Sequence, residues 1–116
     1  MIWQPITSSV TIKGTMAHVL VLYDTPVDPT AFDTYYRSVH LPIASRLPGL
    51  ISCRISTQPP RAFAGKAPYL VAELEFASVE ATEAALASPE GQATAGDLAN
   101  FAQAGVTILV FDTEKV

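Results

Sequence analysis

From Ala17 to Tyr23 the segment AHVLVLY is apolar at nearly every position, and Asp24 and Pro26 then interrupt it. It is too short for a typical helix and rich in Val and Leu, so it predicts a first strand. Its alternating faces are His18, Leu20, Leu22 and Ala17, Val19, Val21, Tyr23. Apart from His18 both are apolar, which suits a central place in a sheet. Asp28 and Pro29 then supply a helix start: the carboxylate can accept from free backbone N–H groups, and proline at the first position has none to leave unpaired. At about 100° per residue, Phe32, Tyr36, Val39 and Ile43 fall on one stripe, with His40 and Leu47 at its border and Asp33 and Arg37 beyond. Pro48 and Gly49 close the helix. Pro42 sits inside the pattern, where it leaves the Ser38 carbonyl without its helical donor and crowds that turn, so a kink or break is expected near His40.

Leu50 to Thr57 (LISCRIST) alternates Ile51, Cys53, Ile55 with Ser52, Arg54, Ser56, the pattern of a strand with one apolar and one polar face. Gln58 to Pro68 holds three prolines and a glycine and reads as a loop. Tyr69 to Phe76 (YLVAELEF) is a third strand, with Leu70, Ala72, Leu74, Phe76 on one face and Tyr69, Val71, Glu73, Glu75 on the other. Ser78 caps a helix through Ala87, and Ser88 with Pro89 caps a further helical segment to about Gln103. Ten of the seventeen alanines lie between Ala77 and Ala104, which favours helix. Gly105 stops it, and Val106 to Phe111 is a fourth strand. The order βαββαβ is the split βαβ, or ferredoxin-like, α+β arrangement: a four-stranded antiparallel sheet with its helices on one face. The other face has nothing in the chain to cover it, which predicts a homodimer formed through that face.

At 116 residues and 49% hydrophobic content the chain can bury one core, so a single domain is expected over residues 16–116. Residues 1–15 read as an extension, with a short added strand, an arm and an upstream start all open. The net charge is −4, and the seven basic residues are scattered, so no basic stripe exists to bind nucleic acid. One cysteine and two histidines cannot build a four-ligand zinc site. The lone Cys53 fits a reducing cytoplasm, and neither a membrane span nor a signal peptide is expected.

His40 is the first candidate for chemistry, because an imidazole beside a proline-induced break can act as general acid or base near neutral pH. It can equally bond a freed carbonyl such as that of Ser38 and stabilise the break. Tyr36 lies one turn away, placed either to orient a substrate or to fill the core. Tyr69 stands beside the proline-rich loop, where it can line a cavity. Glu73 and Glu75 share a strand face with carboxyls roughly 6 to 7 Å apart. They serve either as a second base or as ordinary partners of Arg54 on the neighbouring strand. Cys53 reads as a small core residue, because only Arg54 lies beside its thiol to lower its pKa. Phe32, Cys53 and Arg54 complete the candidate substrate contacts. No phosphate loop, nucleophile elbow or dinucleotide fingerprint is present.

The segments VLYDTPVDPTAFDTYYRSVHLPIASRLPGL and APYLVAELEFASVEATEAALASPEGQATAGDLANFA together resemble the EthD family, named for ethyl tert-butyl ether degradation. The most specific stretches are VHLPIASRLPG, PYLVAELEF and SPEGQATAGDLANFA. The resemblance implies a dimeric α+β barrel, in which two ferredoxin-like sheets pack face to face, and a small apolar organic ligand. Fold kinship of this kind spans cofactor-independent monooxygenases, cyclases, dehydratases, isomerases and haem enzymes, so it does not fix a reaction. The leading expectation is an enzyme without cofactor or metal that acts on an apolar, oxygenated compound. In it His40 moves a proton, Glu73 is its partner or a second base, and Tyr36 and Tyr69 orient the substrate. The alternative is a non-catalytic ligand-binding or accessory protein of a monooxygenase system. A haem enzyme with His40 or His18 as axial ligand stands third.

Overall fold

A computed structural model describes residues 16–116, and the expected extension over residues 1–15 lies outside the described residues. The chain runs β1 (Met16–Tyr23), α1 (Pro29–Tyr35), a π-helical turn (Tyr36–His40), α2 (Leu41–Ala44), β2 (Ser52–Ile55), β3 (Leu70–Phe76), α3 (Val79–Ala87), α4 (Pro89–Asp97), a 3-10 turn (Leu98–Asn100) and β4 (Val106–Thr113). The strands form one antiparallel sheet in the order β2-β3-β1-β4. This is the ferredoxin-like topology that the element order predicts.

The core lies between one sheet face and the helices. Ala17, Val19, Val21 and Tyr23 of β1 and Leu70, Ala72, Leu74 and Phe76 of β3 are buried against Phe32, Tyr36, Leu47, Ala85 and Phe101. Tyr23, Phe32, Tyr36 and Phe101 pack as one aromatic group with ring centroids 5.4 to 5.8 Å apart, the separation at which tilted and edge-on rings attract. The three expected caps are formed: Asp28 accepts from the Ala31 N–H, Ser78 from Ala81 and Ser88 from Gly91.

Pro42 neither ends the first helix nor leaves it regular. The Leu41 N–H reaches back five residues to the Tyr36 carbonyl, and the wider π-helical turn makes room where Pro42 can donate nothing. Several boundaries differ from the sequence reading, among them that of β4, which runs past Phe111 to Thr113. Regular pairing of β2 covers only Ser52–Ile55, although Ile51 and Ser56 still donate to the Glu75 and Val71 carbonyls at 2.8 and 2.9 Å. β3 starts at Leu70, so Tyr69 is free to turn toward the helices. α4 stops at Asp97 and continues as the 3-10 turn, with Phe101 at φ −146° leaving the helix before Gln103.

The second sheet face carries His18, Leu20 and Leu22 of β1, Glu73 and Glu75 of β3, Ser52 and Arg54 of β2, and Leu109 and Phe111 of β4, as the ladder register requires. No helix among the described residues covers it. Leu109 is 45% and Phe111 39% exposed, and on the helix side of the same edge strand Ile108 and Val110 are as open, at 45% and 41%. Among the described residues no helix is long and apolar enough to cross a membrane.

Candidate functional site

His40 closes the π-helical turn and points into the helix layer, where it is 4% exposed. Its Nδ1 lies 2.9 Å from Oδ2 of Asp97, the last residue of α4, itself 7% exposed. The other carboxylate oxygen, Oδ1, accepts from the Tyr35 hydroxyl at 2.6 Å and from the Asn100 amide at 3.0 Å. The imidazole is packed on both sides by rings, Tyr36 at 5.6 Å and Phe101 at 4.6 Å between centroids. Two elements distant in sequence, the π-turn and the end of α4, therefore meet in one polar knot inside an aromatic layer.

The electrostatics follow from this geometry. Burial alone would raise the Asp97 carboxyl, but the hydrogen bonds from Tyr35, Asn100 and His40 outweigh it and hold the carboxyl below the ordinary aspartate range. Asp97 is thus a fixed carboxylate that orients the His40 ring through Nδ1. The Tyr35 phenol is pushed up, first by its bond to Asp97. Burial pushes Tyr23 and Tyr36 well above the usual phenol range, so both act only as neutral hydroxyls.

The sequence-derived candidates do not gather in one place. Tyr36 does stack on His40, and Phe32 belongs to the same aromatic group, so both also fill the core. The expected link from His40 to a freed carbonyl is replaced by the bond to Asp97. Glu73 is not the partner of His40, because its position in the β3 alternation places it on the opposite sheet face. There its Oε2 is 3.5 Å from Nδ1 of His18, a nitrogen with no hydrogen-bond partner. Arg54 shares that second face, directly across from Glu73, yet no ion pair joins them. Glu75 accepts instead from Ser52 at 3.3 Å. Tyr69 does not share the Glu73 face: its ring packs edge-on against Phe32, and its hydroxyl donates to Asp33 at 2.9 Å. Cys53 is exposed rather than part of the core, since β2 is an edge strand that the helices cover poorly, and it lines a shallow depression with Leu41, Ser45 and Ile55.

Asp97 was the missing residue, and a signal for it exists. Gly91, Thr94 and Asp97 form the inward stripe of α4, and a carboxylate on such a stripe requires donors to offset its desolvation. Three clefts flank α1, of which a broad, open one of about 480 Å³ is lined by Asp28, Thr30, Ala31, Thr34, Tyr35 and Ser38. Another of about 310 Å³ is lined by residues that include Phe32, Tyr35, Asn100 and Phe101, and a smaller one of about 70 Å³ by Asp33, Tyr36, Arg37 and Tyr69 among others. Among the described residues no three His, Cys, Asp or Glu side chains cluster as metal ligands would.

Residues 24–105 match the EthD domain family. A protein of Rhodococcus erythropolis, described as an uncharacterized 11.0 kDa protein in the thcB-thcC intergenic region, is 41% identical over 107 residues, covering 87% of this chain and 98% of its own. The crystal structure of an EthD family protein from Bacillus halodurans is similar with a TM-score of 0.75 at 27% identity, over 87% of this chain and 99% of that one. A dimeric ferredoxin-like protein from Jannaschia is similar with a TM-score of 0.59, also at 27% identity, over 86% and 99% of the two chains.

Proposed function

The chain belongs to the EthD domain family, and from that membership and the buried His40–Asp97 pair we propose that it is a cytoplasmic enzyme acting on a small, apolar, oxygenated organic compound without a cofactor. His40 is the general acid or base, and Asp97 is its positioning residue. The observation that carries this reading is the 2.9 Å contact from Nδ1 to Oδ2, with Asp97 itself held by Tyr35 and Asn100. A carboxylate in this position fixes the tautomer and ring direction of a histidine and stabilises the imidazolium that forms when the ring takes a proton. Proton abstraction next to a carbonyl or from a phenol is the step such a pair performs, and it begins isomerisations, dehydrations and cofactor-free oxygenations alike.

The working unit of this proposal is a homodimer. Its support is the uncovered sheet face with Leu109 and Phe111 exposed, together with the dimeric state of the similar Jannaschia protein.

A panel of small ketones, phenols and alkyl ethers, followed by solvent deuterium exchange and by oxygen uptake, tests the assignment. Exchange or uptake that the wild type catalyses is expected to fall by roughly 10²–10⁴-fold in His40→Ala, the usual contribution of an acid–base group. Full activity in His40→Ala would remove the assignment. The depth of His40 in the core favours one second reading, a protein that holds or hands on such a ligand for an ether-degrading monooxygenase system. A compound recovered bound and unaltered, with no exchange at any position, would support it.

A further inference from the structure

We propose that the cleft of about 310 Å³ between α1 and the segment after α4 is a binding site, separate from the His40 imidazole, for a neutral apolar alcohol or phenol whose polar contact is Tyr35. The proposal stands apart from the acid–base reading above, and its evidence is the cleft itself.

One wall comes from the α1 face that repeats at Asp28, Ala31, Phe32 and Tyr35, and the other from Asn100, Phe101 and Ala104. Ala31 and Ala104 leave the space open, and Phe32 and Phe101 give it aromatic sides. The volume is at the lower end for small-molecule sites and suits a two-ring compound. No lysine or arginine lines the cleft, and its one carboxylate, Asp28, is engaged as the cap of α1. A neutral ligand fits this lining, and an anion finds no counter-charge.

The hydrogen-bond inventory decides the polar group of the ligand. The Tyr35 proton and one Asn100 N–H are both spent on Oδ1 of Asp97. With its proton given to Asp97, Tyr35 can meet a ligand only through a lone pair of its phenolic oxygen, and the exposed Asn100 side-chain carbonyl beside it can also accept. A ligand that donates a hydroxyl proton therefore completes the pair without breaking it. His40 does not line this cleft. It is joined to it only through Asp97, in the sequence Tyr35, Asp97, His40. A hydroxyl group bound at Tyr35 thus lies one carboxylate away from the imidazole.

Fluorescence titration of the full chain with 2-naphthol, and with 2-methoxynaphthalene as the partner lacking the O–H, tests the proposal. The wild type is expected to bind 2-naphthol about tenfold more tightly, the worth of one net hydrogen bond. Tyr35→Phe should erase that preference while keeping the weaker affinity. Ala31→Trp, a change at an exposed helix position, should fill the cleft and abolish binding of both compounds. Absence of 2-naphthol binding, equal binding of the two compounds to the wild type, or undiminished binding by Ala31→Trp would each overturn it. A cleft that passes these tests beside a fully active His40→Ala variant would instead sink the acid–base reading and leave this one standing.

Discussion

Asp97 is held by three donors, and this sets how acid acts on the molecule. Its folded carboxyl titrates below the 3.8 of an ordinary aspartate, because the bonds from Tyr35, Asn100 and His40 outweigh the opposing effect of burial. A carboxyl depressed in the folded state binds protons less readily than in the unfolded chain, so its stabilising contribution is complete above about 3.8 and is lost as pH falls through the folded value. Thermal unfolding of Asp97→Asn, followed from neutral pH downward, should show a shallower loss of stability below that point than the wild type. Asp97→Ala should lower stability at neutral pH by about 1–3 kcal/mol, since it leaves buried Nδ1 of His40 without a partner. An acid limb of the same slope in Asp97→Asn would show that other carboxyls dominate. At this scale the sequence is half legible. Pro42 marks His40 as special within one helical turn, whereas its partner lies fifty-seven positions away, and local spacing carries no information about such a pair. Glu73 is the converse case: it is a carboxylate on a well-read strand, but the β alternation that identifies it also assigns it to the other side of the sheet.

The elements themselves were far more legible, because each is encoded by signals within a few residues: caps at Asp28, Ser78 and Ser88, alternation in β1 and β3, and glycine at the turns. What escaped was the form taken where two local rules compete. The apolar stripe expected through Val39 and Ile43 is shifted where the chain widens one turn into a π-helix: Val39 is 36% exposed, and His40, Ala44 and Leu47 are buried in its place. The α3–α4 corner holds a second local demand with a measurable consequence. A Cβ on Gly91 would collide with the backbone carbonyls of Ala85 and Leu86, whereas a Cβ on Gly96 of the same helix would meet nothing within 4 Å. Helix propensity favours alanine over glycine by about 1 kcal/mol at either position. At Gly91 the overpacking of backbone against backbone should reverse the sign, giving a loss of roughly 1–3 kcal/mol in Gly91→Ala. Gly96→Ala should be neutral or stabilising by up to about 1 kcal/mol. Urea midpoints of the two variants measured side by side decide this, and a gain in both would mean that the corner relaxes freely.

For the whole molecule, the uncovered sheet face ties fold to assembly. Register alignment puts Leu20 and Leu109 in one row with Glu73 and Arg54, and His18 and Phe111 in the next with Glu75 and Ser52. Apart from His18, the β1 and β4 positions of these rows are apolar, and those on β3 and β2 are polar. Related by a two-fold axis, two such faces can bury their leucine and phenylalanine halves together while the polar halves stay near the rim, an arrangement that fits a closed, isologous dimer. The helix layer with His40, Asp97 and the cleft beside Tyr35 lies on the other side of each sheet, so assembly leaves it clear. Sedimentation velocity at micromolar concentration should therefore show the wild type as a dimer and Leu109→Lys as a monomer, because the added ammonium groups would be desolvated in the interface. Leu109 is 45% exposed in the single chain, so the substitution should leave the circular dichroism of the fold unchanged. It should also leave 2-naphthol binding intact, since no lining residue of the cleft belongs to the sheet. A wild type that sediments as a monomer would sink the dimer. Loss of naphthol binding in a folded Leu109→Lys monomer would show that the second chain completes the site.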